Sequence, residues 1–149
     1  MSYKTIQFER REHIGILSLN RPEQLNTFTL EMIDELREFF ASLCSDLHTR
    51  VVILRANGRL FCAGTDLNTL ARGAEDQQLG DVQFVYHKTQ QPVGDISIRM
   101  RKTPQPIIAA VHGAAAGGGF CNGPGKRYPP CGRICSLQYR FYSCRAFCL

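Results

Sequence analysis

Two short apolar runs, each emptying into a turn of small residues, constrain this chain more than any other feature. Val51 to Arg55 (VVILR) passes through Ala56-Asn57-Gly58 to FCAGTDL, and Pro106 to His112 (PIIAAVH) runs directly into GAAAGGGF. A continuous apolar run of this kind reads as a strand buried on both faces, as in parallel sheets covered by helices. Ahead of the first run, Met32, Leu36, Phe39, Phe40, Leu43 and Leu47 recur at three- and four-residue steps, which predicts an amphipathic helix. Thr29 is placed to cap that helix, and Glu31 favours its first turn. Strand, helix and strand in this order define an α/β layer fold.

The flanking sequence extends the pattern. Residues 3–9 (YKTIQFE) and 13–19 (HIGILSL) read as two strands of a hairpin, and Asn20-Arg21-Pro22 turns the chain toward the helix. Asp66 is positioned to cap a helix that follows FCAGTDL. Residues 72–83 are polar and read as a surface loop, while Val85 to Met100 carries a weaker helical signal interrupted by Pro92 and Gly94. The glycine-rich turn after the second run is expected to lead into a helix N-terminus. No internal repeat is visible.

A chain of 149 residues corresponds to one domain, since domains run to about 100–200 residues. With 44% apolar and 21% charged residues, it has the composition of a globular protein and not of a disordered or fibrous one. No apolar run reaches the roughly 20 residues of a membrane span. The N-terminus lacks the apolar segment of a signal peptide and the C-terminus carries no peroxisomal or prenylation signal, so a cytoplasmic location is expected. The net charge of +5 first raises nucleic acid as a partner. Its distribution removes that reason: residues 1–120 hold 13 basic and 13 acidic residues, and all of the excess lies beyond Phe120.

The two small-residue turns allow backbone N–H groups to approach a ligand closely. A phosphate loop is disfavoured, because neither GxGxxG nor a glycine loop followed by Lys is present. An oxyanion hole, in which two preorganised N–H groups from different loops hold a developing negative oxygen, fits better.

Taken together, NRPEQLNTFTLEM, VVILRA, FCAGTDL and KTPQPIIAAVHGAAAGGGF resemble the enoyl-CoA hydratase/isomerase (crotonase) superfamily, in the family's order and over residues 3–120. The resemblance implies an α/β fold, a crotonase-like spiral of β-β-α units. It also implies binding of acyl-CoA thioesters, no cofactor beyond the thioester itself, and assembly as a homotrimer or hexamer. By position, Ala63 and Gly118 would supply the two oxyanion-hole N–H groups. Gln24, Leu25, Leu60, Gly64, Thr65, Asp66 and Leu67, with Ala63 and Gly118, would contact the substrate. The 55-residue interval from Ala63 to Gly118 is nearer to isomerase-type members than to simple hydratases.

Residues 121–149 depart from the family and divide the chain into a family-like part, 1–120, and a Cys/Arg-rich tail expected to be irregular. Cys121 stands where hydratases of the family carry a glutamate acid/base, and a thiol with an ordinary pKa of ~8.5 does not replace a carboxylate in handling water. Pro124, Pro129 and Pro130, with Gly123 and Gly125, forbid the long helix the family would continue here. The chain therefore reads as a crotonase-like domain truncated before its C-terminal helical region, weakly active or inactive. The alternative is a non-catalytic fragment whose tail forms a zinc or interaction module through Cys131, Cys135, Cys144 and Cys148; interleaved basic and aromatic residues there raise nucleic-acid contact only as a chance pattern. No metal ligands are assigned in the body, and neither nucleic acid nor a membrane is expected as a partner. His48 and His112 read as structural and Cys44 as core. Cys62 precedes the Ala63 donor but has no base at a recognisable spacing.

Overall fold

The alternation near the N-terminus folds as a hairpin. β1 (Ile6–Arg11) and β2 (Ile14–Leu19) pair antiparallel, with Ile6 opposite Leu19 and Arg11 opposite Ile14. Glu12, in the left-handed region at φ 53°, makes the tight reversal. The computed structural model describes residues 3–71, 81–116 and 146–147.

From β2 onward every pairing is parallel. β2 pairs with β3 (Val51–Ala56), β3 with β4 (Ile107–Ala109), and β4 with the two-residue β5 (Ala146–Phe147), giving the order β1-β2-β3-β4-β5. Parallel neighbours need long crossovers, and these are almost always right-handed. When each new strand joins on the same side, right-handed crossovers carry their helices over one face. The structure follows this rule. α1 (Leu30–Leu43) links β2 to β3, while α2 (Leu67–Ala71), α3 (Asp81–Phe84), a π-helical stretch Val85–Gln90 and α4 (Gln91–Lys102) lie between β3 and β4. α1 packs against α4, and Asp95 ties them, accepting from Arg37 Nε at 2.9 Å and Arg99 Nε at 2.7 Å.

The core lies between this helical layer and the sheet. Met32, Ile33, Leu36, Phe39, Phe40 and Leu43 of α1 and Val93, Ile96 and Met100 of α4 are buried with Leu17, Leu19, Val52, Leu54 and Ile107 of the strands. The opposite face is less covered: Ile16, Ile53 and Ile108 are half-buried and Arg55 is exposed. β3 is thus buried fully on one face only, not on both as its apolar run predicts.

Three further expectations are corrected. Thr29 caps α1 as predicted, its Oγ1 accepting from Met32 N at 3.2 Å, but the helix ends at Leu43 and leaves Leu47 91% exposed and Cys44 exposed. Asp46 stops it there, taking hydrogen bonds from His48 N, Thr49 N and Thr49 Oγ1. Pro92 and Gly94 do not interrupt the helical run before β4. Pro92 lies in the first turn of α4, where a missing N–H is harmless, and Gly94 is exposed with open space around its Cα. Finally, the second apolar run yields a strand of three residues, Ile107–Ala109, and Ala110 to His112 lie beyond it as irregular chain before the bend at Gly113. The glycine turn, the expected helix after it and most of the 72–83 loop lie outside the described residues.

A second, smaller layer forms beyond the ends of the strands. Residues 62–65 lie between 25–28 and 114–116, with isolated parallel bridges Phe28 to Thr65 and Cys62 to Ala115. On one side Ala63 N donates to Leu25 O, Phe28 N to Gly64 O and Asp66 N to Phe28 O, at 2.8–3.0 Å; on the other, Cys62 N donates to Ala114 O and Ala116 N to Cys62 O. β2, β3 and β4 are therefore each followed along the chain by one short segment of the small layer. This is a spiral of β-β-α units, a repeat in space with no repeat in sequence.

Candidate functional site

The small layer gathers the residues singled out in the sequence. Gln24 ends a 3-10 turn, Pro22–Gln24, and is exposed; Leu25 follows it at φ 54° and is half-buried. Leu60, Ala63, Thr65 and Asp66 are half-buried, Gly64 is buried, and Leu67 is 79% exposed at the start of α2. Gly118 lies outside the described residues, as do Cys121 and the tail cysteines. Ala116, two residues before Gly118, is bonded through its amide to the Cys62 carbonyl.

The Ala63 amide is not a free donor. Its hydrogen is given to the Leu25 carbonyl at 3.0 Å, and the Gly64 amide faces Cys62 Sγ at 3.4 Å. That contact and full burial give Cys62 a packing role. Among the described residues no group of three or more His, Cys, Asp or Glu side chains could hold a metal.

Asp66 faces inward. Its Oδ1 accepts from Thr69 N at 3.1 Å, capping α2 as predicted, and its Oδ2 accepts from Thr27 Oγ1 at 3.1 Å. Arg21 Nη2 lies 3.9 Å from the same Oδ2, with both side chains largely buried, and Arg21 Nη1 donates to Thr27 O at 2.7 Å. Asp66 and Arg21 thus join the NRP turn to the AGTDL loop. His112 Nε2 lies 2.8 Å from Gly58 O, in line with its structural assignment.

One residue that sequence reasoning missed holds the turns together. Asn26 is 1% exposed and donates through Nδ2 to Asn57 O at 2.8 Å and Leu60 O at 3.1 Å, while Oδ1 accepts from Arg21 N at 2.8 Å. The signal available was an Asn in a turn, a residue that tolerates the left-handed backbone. A cleft of about 560 Å3 beside β1, lined by Tyr3, Phe8, Ile16, Phe39 and Arg55 among others, shares no residue with this region.

A one-sided parallel spiral with a small-residue loop layer at its strand ends is the architecture of crotonase-like proteins. The chain matches the Enoyl-CoA hydratase/isomerase family model over residues 9–122, and it belongs to that family. It is 32% identical over 132 residues to the peroxisomal Delta(3,5)-Delta(2,4)-dienoyl-CoA isomerase of Arabidopsis thaliana, a match covering 79% of this chain and 45% of the relative. It is 30% identical over 118 residues to a small ribosomal subunit protein of Schizosaccharomyces pombe, covering 79% of this chain and 27% of that one. The crystal structure of an enoyl-CoA hydratase/isomerase from Marinobacter aquaeolei superposes with a TM-score of 0.69 at 30% identity, covering 78% of this chain and 44% of the other. The chain therefore spans less than half the length of these relatives. No helix among the described residues is long and apolar enough to cross a membrane.

Proposed function

We propose that this chain forms the acyl-CoA-binding portion of a hydratase/isomerase-type site, in which the backbone N–H groups of Ala63 and Gly118 hold the thioester oxygen. Two such donors acidify the α-carbon of the thioester and stabilise an enolate, and loss of one oxyanion donor typically costs ~2.7–4 kcal/mol. The observation that carries the proposal is the interleaving of the three turns: the Ala116 amide bonded to Cys62 O brings the segment that leads to Gly118 alongside Ala63. Because the Ala63 hydrogen is bonded to Leu25, binding includes an exchange in which the thioester oxygen replaces or shares with the Leu25 carbonyl. Gln24, Leu25, Leu60 and the 63–67 loop surround that exchange point, and a family-like trimer or hexamer is the assembly in which it operates. The chemistry requires no cofactor besides the CoA thioester.

Turnover is a separate matter from binding. General acid–base catalysis contributes ~10²–10⁴-fold, and Cys121 stands at the sequence position of the hydratase glutamate. Hydration of crotonyl-CoA by this chain is therefore expected to stay below about 1% of a full-length relative's rate. Calorimetric titration with butyryl-CoA, paired with a crotonyl-CoA hydration assay, tests both parts. Saturable binding with little turnover is expected; no binding refutes the site, and rapid hydration refutes the inactivity.

A further inference from the structure

We infer that Asn26 is the positioning residue of this site, holding the Leu25 turn and the Leu60 loop at one separation; the inference rests on the acyl-CoA reading above. Leu25 and Asn26 are both in the left-handed region, at φ 54° and 51°. Asn tolerates that conformation and Leu does not, so two such residues in a row persist only where the surroundings over-determine them. The determinants are on Asn26 itself. Both of its side-chain N–H donors are spent on the carbonyls of Asn57 and Leu60, and its side-chain oxygen is spent on the amide of Arg21.

The bonds span chain segments that no strand ladder connects. Residues 57–60 are neither helix nor strand, so Leu60 is set relative to Leu25 by these side-chain bonds together with the Ala63 amide on Leu25 O, three residues further on. Gly58 closes the same joint from below. Its φ is +94°, and a Cβ there would meet Pro22 Cβ at 2.7 Å, so only glycine lets the two turns come this close. The carbonyl that Leu25 presents to Ala63 is thus aimed by the residue next to it. An Asp at position 26 would keep the shape but turn oxygen toward two carbonyls; a Gly would keep the backbone conformation and delete the clamp.

The test uses Asn26→Gly, Asn26→Asp and Gly58→Ala in the full 149-residue chain. Butyryl-CoA is titrated well below the melting temperature, and melting is recorded on the same samples. Folded Asn26→Gly is expected to bind about tenfold more weakly, and Asn26→Asp more weakly still. A lowered melting temperature with unchanged affinity overturns the inference, because a purely structural Asn26 would alter stability alone. If both Asn26 variants fail to fold, Gly58→Ala decides: weaker binding by the folded variant supports the inference and unchanged affinity overturns it. Failure of the wild-type chain to bind refutes the acyl-CoA reading itself and the inference with it.

Discussion

The amide of Ala63 donates to the carbonyl of Leu25 at 3.0 Å, across the boundary between the second and first turns of the spiral. In the proposed site the same hydrogen serves the substrate. A protein–protein hydrogen bond nets only about 0.5–1.5 kcal/mol, whereas an oxyanion donor is worth more as charge develops, so the exchange becomes increasingly favourable as the thioester moves toward its enolate. Nuclear magnetic resonance of the amide-labelled chain checks this. Saturation with butyryl-CoA should move the Ala63 amide resonance strongly and leave that of Phe28, whose amide stays on Gly64 O, nearly in place. Equal small shifts at both would count against the exchange.

Asp66 is expected to act on stability before it acts on substrate. It caps α2 through Thr69 N, accepts the Thr27 hydroxyl and lies against Arg21. Loss of a cap costs about 0.5–2 kcal/mol. Asp66→Ala should lower unfolding stability by about 1–2 kcal/mol in urea, from the cap and its neighbouring bond. Asp66→Asn, which keeps an oxygen for Thr69, should lose less. Identical losses would show that the cap is not the operative contact.

Acid should unfold the chain through Glu35 in particular. Burial pushes its carboxyl up, but hydrogen bonds from the Lys4 amide, the Thr5 hydroxyl and the Thr5 and Ile6 amides outweigh burial and hold it below the ordinary carboxylate value. A carboxylate whose folded pKa is depressed contributes stability that is fully present above its unfolded value of about 4.3. That contribution is lost as pH falls through the lower folded value. Asp95, held down chiefly by Arg99 and then Arg37, and Asp46, held down chiefly by the Thr49 hydroxyl, act in the same direction. Melting temperature should therefore be flat near neutrality and fall below about pH 4. Glu35→Gln should cost about 1–2 kcal/mol at pH 7 and flatten the acid limb; an unchanged limb would refute the assignment.

The legible parts of this fold were those in which one residue type answers to one local rule. Thr29 and Asp66 cap the helices assigned to them, and the α1 periodicity marks the buried stripe from Met32 to Leu43. Leu47 continued that periodicity but lies past a stop imposed by Asp46, which apolar spacing does not register. Pro92 was misleading because its cost depends on its position within the helix, and the start of α4 was hidden behind a π-helical lead. The second layer was invisible. Its segments bridge one residue at a time, too short for any periodicity, and join positions more than 30 apart in sequence. Asn26 escaped for the same reason: its partners, Asn57 and Leu60, are 31 and 34 residues away. Ala63 and Asp66 were legible as belonging to one loop, but not that the Ala63 amide is already bonded or that Asp66 turns inward.

Polarisation of a thioester carbonyl by this chain can be read from carbon-13 magnetic resonance of butyryl-CoA labelled at the thioester carbonyl and titrated with the 149-residue chain. A saturable downfield shift of the carbonyl signal is expected, because N–H donors withdraw electron density from the oxygen. A bound ligand whose carbonyl signal stays at its free position would contradict it.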